Sequence, residues 1–195
     1  MKAYYHARAA EYDNWWLGRD RFTAYDRPGW DEELAELAGR LGDLPPARTL
    51  DVACGTGFVT RHLPGEIVGL DQSEAMIEIA RERVPHAMFV VADALALPFA
   101  DHSFDRVFSS YFYCHLEAPE RRRFLEESRR VAPEFVIVGS IGAPGDPSER
   151  WEERVLDDGS RWQVFKRVFD PQQLAEELGG EILHAGRWFV AVRSP

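Results

Sequence analysis

The chain has 195 residues, with 33 acidic and 23 basic side chains and a formal net charge of −10. This length fits one domain over residues 1–195, and the acidic balance argues against nucleic acid or an anionic membrane as partner, because both call for basic patches. The chain has only two cysteines, which argues against a disulfide framework and a zinc site. It has no run of about 18 apolar residues and no apolar leader, which argues against a membrane span and a secretory signal. We therefore expect a cytoplasmic protein without a metal.

The first 18 residues predict an aromatic helix that ends near Gly18. Its rings recur at helical spacing: Tyr4, Tyr5, Tyr12, Trp15 and Trp16. Such a stripe either packs on the core or covers a binding site from outside, and the spacing alone leaves both alternatives open. A second helix is predicted to begin at Asp31 as its cap and to stop at Gly42.

Short apolar runs then alternate with amphipathic stretches. The predicted strands are 48–53, 66–70, 87–91, 105–110 and 134–140, and the predicted helices are 57–63, 73–83 and 119–131. Such alternation implies right-handed crossovers and a mainly parallel, doubly wound α/β sheet. Residues 142–169 predict a loop and a β-hairpin inserted in the domain, with its turn at Asp158-Gly159. A helix from Pro171 and two antiparallel strands, 181–184 and 187–192, end the chain.

Three of the predicted strands carry or lead into an aspartate: Asp51, Asp71 and Asp93. Ligands of open α/β sheets bind at the carboxyl ends of parallel strands, so these carboxylates should converge on one crevice. Gly55 and Gly57 follow the first strand, where glycine lets the backbone approach a ligand closely. The pattern predicts a nucleotide-type site.

The identity of the nucleotide follows from spacing and charge. A dinucleotide fingerprint needs a third glycine where this chain has Thr60, and Asp51 would crowd a pyrophosphate, which disfavours a nicotinamide-dependent oxidoreductase. Asp51 suits a cation such as the ammonium of a methionine moiety, and Asp71 suits two ribose hydroxyls. Asp93 and the backbone N–H of Ala94 suit an adenine. These features together describe S-adenosylmethionine.

The motifs resemble those of class I S-adenosylmethionine-dependent methyltransferases, in the group that contains the ubiquinone and menaquinone biosynthesis methyltransferases. They read LDVACGTG at 50–57, VGLDQSEAM at 68–76 and ADALALPF at 92–99. The resemblance runs from about Tyr4 to Val138. It implies a seven-stranded Rossmann-like sheet with an antiparallel C-terminal hairpin, and S-adenosylhomocysteine as product. It also favours the lid alternative for the N-terminal segment, residues 1–30.

The resemblance assigns roles to individual residues. Those expected to bind the cofactor are Tyr12, Asp51, Ala53, Cys54, Gly55, Gly57, Asp71, Gln72, Met76, Asp93, Ala94, Leu95, Ser109 and Ser110. His115 and Tyr113 follow the fourth core strand, where the family places substrate-facing side chains, and are the candidates for a general base. Relatives often carry Leu-His-His where this chain has Tyr113-Cys114-His115. Methyl transfer often needs no base, because the sulfonium is already activated.

The predicted reaction is in-line transfer of the methyl group of S-adenosylmethionine to a small, apolar or aromatic molecule. The aromatic N-terminal segment and Tyr111, Phe112 and Tyr113 favour an acceptor of that kind. The alternative is a non-catalytic cofactor-binding or partner subunit that keeps the methyltransferase fold. A homodimer is compatible with the sequence, which names neither the acceptor nor the atom that is methylated.

Overall fold

The structure is a computed structural model that describes residues 2–142 and 145–195. Its strands are β1 (Ala47–Val52), β2 (Gly65–Asp71), β3 (Met88–Val91), β4 (Arg106–Ser110), β5 (Glu134–Ser140), β6 (Glu149–Val155), β7 (Arg161–Arg167), β8 (Glu181–Ala185) and β9 (Phe189–Ser194). Its α-helices are α1 (Lys2–Arg8), α2 (Tyr12–Leu17), α3 (Trp30–Gly42), α4 (Glu74–Arg83), α5 (Ala118–Val131) and α6 (Pro171–Leu178).

Seven strands form the main sheet in the order β3-β2-β1-β4-β5-β9-β8. Strands β1 to β5 run parallel, while β9 pairs antiparallel with both β5 and β8. The strand order reverses between β1 and β4, the point at which such sheets bind ligands. The structure confirms the predicted doubly wound, mainly parallel seven-stranded sheet with its antiparallel C-terminal hairpin.

The central strands are apolar on both faces because helices cover both faces of the sheet. Leu50, Val107 and Val136 are fully buried. Helix α4 begins as predicted, since the Ser73 hydroxyl accepts the Met76 N–H and caps the first turn. These contacts hold the carboxyl ends of β1, β2 and β4 at one edge of a rigid core.

Two helix predictions are wrong in detail. Residues 57–63 form only a 3₁₀ turn, Thr60–His62, because Gly57 has a left-handed φ of +72° and Pro64 follows at once, so the stretch is too short to nucleate an α-helix. Helix α3 begins after Gly29 rather than at Asp31, whose charge lies in the first turn beside the positive helix end.

The N-terminal segment has two parts. A 3₁₀ turn, Ala9–Glu11, separates α1 from α2, and Gly18 ends α2 in the left-handed conformation, near the predicted end. Trp16 belongs to the main core, where it stacks on Phe58 with ring centroids 5.2 Å apart and its carbonyl accepts the Trp30 indole N–H. Helix α2 therefore packs on the core, as one of the two alternatives has it. That α1 covers the binding site as a lid remains a prediction.

Strands β6 and β7 form a separate two-stranded antiparallel sheet, as the hairpin prediction requires. Tyr4 of α1 packs against Leu156 and Val164 of this hairpin in a small second hydrophobic cluster. The loop predicted at 142–148 falls partly outside the described residues. Within the part of the chain that is described, no helix is long and apolar enough to cross a membrane.

Candidate cofactor and acceptor site

The glycine loop after β1 turns sharply at the edge of the sheet. Ala53 and Gly55 have φ values of +59° and +56°, in the left-handed region. Asp71, at the end of β2, accepts the Gly55 N–H at 3.0 Å with Oδ2 and the Ser73 N–H at 2.8 Å with Oδ1. This carboxylate therefore ties the loop to the start of α4. Each oxygen retains a lone pair for a further donor.

A cleft opens beside this loop and contains about 780 Å³ of space with its open mouth. The predicted residues on its wall are Tyr12, Ala53, Gly55, Asp71, Gln72, Met76, Asp93, Ala94, Leu95, Ser110 and His115. Its other wall residues, outside the predicted cofactor set, are Tyr5, Leu70, Tyr111, Phe112, Leu116 and Glu120. The three predicted strand-end motifs thus meet at one opening.

Several predicted residues lie elsewhere. The Tyr113 hydroxyl donates to Glu177 at 2.5 Å, on the side of α6, so the expectation of a base at Tyr113 is corrected. Ser109 is buried and donates to the Val52 carbonyl, which makes its role structural. A side chain at Gly57 would contact Ala80 of α4 and Val84, which follows that helix, rather than the cleft. The orientation of these side chains depends on tertiary packing that the motif does not encode.

Asp51 and Cys54 line a smaller pocket behind the glycine loop. Asp51 is 1% exposed, and its Oδ2 accepts the Thr60 hydroxyl at 2.6 Å, while its Oδ1 has no partner among the described residues. Burial raises the pKa of Asp51 to about 7, and the neighbouring Asp71 acts in the same direction. A nearby cation would favour the charged form of this carboxylate, as an ammonium group would.

Two observations test whether this wall fits S-adenosylmethionine. The buried Asp51 Oδ1 and Ser110 Oγ lack partners within the described ranges, so both are available to a polar ligand. At the opposite end, the exposed Asp93 accepts the Leu95 N–H at 2.9 Å with one oxygen and leaves its other oxygen for an amine. The donor and acceptor set matches a ligand with a cationic end and an adenine end.

The N-terminal segment is attached to the glycine loop. Asp13 of α2 accepts the Thr56 hydroxyl at 2.6 Å and pairs with Arg83 of α4. The Tyr12 ring lies against Gly55, where an added Cβ would be 3.6 Å from the ring. Sequence reasoning missed the Asp13 contact, because an acidic residue between aromatic neighbours on a helix gives no signal of its own.

Comparisons with known proteins show what the chain is similar to. A family described as "Methyltransferase domain" matches residues 50–134. Two solved structures, described as a complex of DhpI with SAH and a DhpI-SAM-HEP complex, are 26% and 25% identical to the chain, with TM-scores of 0.72 and 0.73. The alignments cover 98% and 99% of this chain and 92% and 95% of those chains. Residues 50–134 are therefore a methyltransferase domain, and the chain as a whole has the fold of S-adenosylmethionine-dependent methyltransferases.

Curated relatives agree with this assignment. A demethylmenaquinone methyltransferase of Thermotoga maritima is 40% identical over 107 residues, which is 52% of this chain and 44% of that protein. An uncharacterized methyltransferase of Alkaliphilus oremlandii is 28% identical over 83% of this chain and 76% of its own length. The chain thus spans less than half of the Thermotoga enzyme.

His115 of the methyltransferase domain lies where the cleft opens toward the hairpin. Its Nδ1 is 2.7 Å from the Phe165 carbonyl oxygen, which can only accept, so Nδ1 carries the proton and Nε2 has the free lone pair. Burial first, and then the Lys166 cation, lower the pKa of His115 to about 3. The imidazole is therefore neutral near pH 7 and a weak base.

A second cavity adjoins the cofactor cleft and contains about 1,700 Å³ with its open mouth. It lies between the N-terminal segment and the β6–β7 hairpin, and we call it the acceptor cavity. The two spaces share Tyr5, Tyr12, Tyr111 and His115. A molecule in the acceptor cavity would meet a cofactor in the cleft across these four side chains.

Proposed function

We propose that this protein transfers the methyl group of S-adenosylmethionine to a small molecule held in the acceptor cavity. The observation that carries the proposal is the wall that the two spaces share, Tyr5, Tyr12, Tyr111 and His115. An in-line displacement needs the acceptor atom, the methyl carbon and the sulfur held in one line, and two adjoining spaces allow this alignment. S-adenosylmethionine supplies the activated methyl group on a sulfonium.

The chain's own residues have defined parts in this proposal. The free lone pairs of Asp71 accept the ribose hydroxyls, Asp93 and the Ala94 N–H bind the adenine, and Asp51 lies toward the cationic end. Tyr5 and Tyr12 exclude water from the opening, and their ring faces favour a cation and an acceptor with an apolar or aromatic part. His115 accepts a hydrogen bond through Nε2 instead of removing a proton.

The test is turnover by the full chain across phenols, quinones, amines and acids, with release of S-adenosylhomocysteine as the readout. We expect at least one class to be methylated and S-adenosylhomocysteine to raise the melting temperature by mass action. Binding without turnover of any class supports the alternative of a non-catalytic cofactor-binding subunit. Absence of both binding and a melting shift overturns the cofactor assignment to these residues.

A further inference from the structure

We infer that the acceptor carries an anionic oxygen group, of the carboxylate or phosphonate and phosphate type, bound by Lys166 and Arg8 in the acceptor cavity. This inference rests on the proposed function, because it names the class of molecule that enters the same site. It also refines the expectation of an apolar or aromatic acceptor. The charges on the cavity wall lead to this inference.

Lys166 is a buried cation near the end of β7, only 8% exposed. Its Nζ donates to the Ser140 hydroxyl at 2.7 Å, lies 3.7 Å from the Cys114 sulfur and is 5.1 Å from the centre of the Tyr111 ring. These partners are all neutral, and no carboxylate of the described residues lies within 4.0 Å of Nζ. Burying a cation without a counter-charge is costly, so an anion supplied by a ligand would stabilise it.

Arg8 contributes a second cation from a different element, α1. Its guanidinium lies 5.0 Å from the centre of the Tyr12 ring and donates to the Tyr4 hydroxyl at 3.0 Å. The buried Nε has no hydrogen-bond partner, and among the side chains that the structure describes no carboxylate is within 4.0 Å of the group. A planar guanidinium with free donors is well suited to an oxyanion.

Both cations lie on the wall of the acceptor cavity. Lys166 is 5.1 Å from the centre of the Tyr111 ring and Arg8 is 5.0 Å from the centre of the Tyr12 ring, and both rings belong to the wall that this cavity shares with the cofactor cleft. Two cations on separate elements, α1 and β7, thus converge where the two spaces meet. An anionic group bound between them would hold the rest of the acceptor beside the cleft.

The remaining charges of the cavity are largely compensated. Arg150 and Arg154 both pair with Glu152, and Glu153 pairs with Arg161 at 2.5 Å. Asp26, Asp146 and Arg27 also lie on the wall, and Arg27 donates to the Trp15 carbonyl at 2.7 Å. Because acidic side chains outnumber basic ones and the net charge is −10, a cation without a carboxylate partner is unusual in this chain. This contrast favours a ligand as the missing counter-charge.

The experiment compares small probes of similar size and different charge. Acetate, methylphosphonate and the neutral acetamide are titrated into the full chain saturated with S-adenosylhomocysteine, with ligand-observed nuclear magnetic resonance as readout. We expect both anions to bind at least tenfold more tightly than acetamide. The stronger of the two anions identifies carboxylate or phosphonate as the preferred group.

Three variants assign the binding to the named cations. Lys166→Gln and Arg8→Gln should each weaken anion binding at least tenfold and leave S-adenosylhomocysteine affinity unchanged. Arg161→Gln removes an exposed charge from the same strand and should change neither quantity. If the saturated protein binds acetamide as well as acetate, or if both variants bind anions like the wild type, the inference is overturned while the proposed function stands. If S-adenosylhomocysteine itself does not bind, the proposed function fails instead.

Discussion

The cofactor cleft takes most of its wall from the motifs at 50–57, 68–76 and 92–99, whereas the acceptor cavity is assembled from α1, α2 and the β6–β7 hairpin. The cleft is built on strand ends in a buried parallel sheet, where burial and backbone hydrogen bonds fix each group. On the hairpin side of the cavity, α1 is held by a small second hydrophobic cluster of Tyr4, Leu156 and Val164. In the proposed function, the sheet therefore binds the cofactor and the hairpin contributes to binding of the acceptor.

The largest expected effect tests where the rigid region ends. Trp16 is 2% exposed and stacks on Phe58, so Trp16→Ala should lower the free energy of unfolding by about 3–5 kcal/mol. Trp151, on the hairpin, is 58% exposed, and Trp151→Ala should lie within about 0.5 kcal/mol of the wild type. Chemical denaturation followed by circular dichroism measures both. A loss of less than about 1 kcal/mol in Trp16→Ala would show that α2 does not belong to the core.

The next effect concerns the carboxylate that links the cleft to the core. Asp71→Ala leaves the Gly55 and Ser73 N–H groups without their acceptor, so we expect a loss of about 1–3 kcal/mol of stability together with weaker S-adenosylhomocysteine binding. Because the Asp71 side chain is only 7% exposed, the substitution should lower stability as well as affinity. Substitution of a residue in open solvent would lower the affinity alone.

Asp93→Ala is the matched control for this prediction. Asp93 is exposed and holds one local N–H, that of Leu95, so its removal should weaken binding with little change in the melting temperature. Calorimetric titration and thermal melting of both variants separate the two roles. Unchanged affinity in a folded Asp71→Ala variant removes this residue from the site.

The third prediction is a pH dependence of cofactor affinity. The pKa of Asp51 is raised from 3.8 to about 7, so the folded protein retains a proton that the unfolded chain releases, and this contribution to stability declines from about pH 4 to pH 7. A ligand with an ammonium group favours the ionised carboxylate, so affinity should rise up to about tenfold between pH 6 and pH 8. Asp51→Asn should flatten that rise. If Asp51→Asn keeps the full wild-type dependence of affinity on pH, the group that titrates is not Asp51.

Much of the cofactor cleft could be predicted from the sequence. Strand ends, the Ser73 cap and the meeting of Asp71 with Gly55 follow from local patterns, since a parallel sheet brings its carboxyl ends to one edge. The prediction of a helix at 57–63 was wrong because apolar spacing does not reveal the left-handed conformation of Gly57. That conformation leaves only a short stretch before Pro64.

The acceptor side depends on contacts between distant segments. Tyr113 and His115 lie on a 3₁₀ turn, Tyr113–His115, where neighbouring side chains diverge, one toward Glu177 and the other toward Phe165. Arg8 and Lys166 are distant in sequence, and neither has a motif around it. Only tertiary packing shows that they lack carboxylate partners.

The smallest effect is expected at His115, where two isosteric variants separate its nitrogens. Asn can retain the donor to the Phe165 carbonyl but loses Nε2, and Gln can place a polar atom near Nε2 but loses the Nδ1–H donor. Because the pKa of His115 is lowered to about 3, the imidazole is neutral from pH 5 to pH 9 and cannot produce a titration in turnover there. We expect His115→Asn to retain turnover within about threefold, and His115→Gln to lose more, since an unsatisfied buried carbonyl costs about 1–3 kcal/mol.

Turnover of both variants against pH, on any acceptor found in the screen, measures this difference. A wild-type profile with a limb near pH 6.5 that disappears in both variants would restore His115 as the general base.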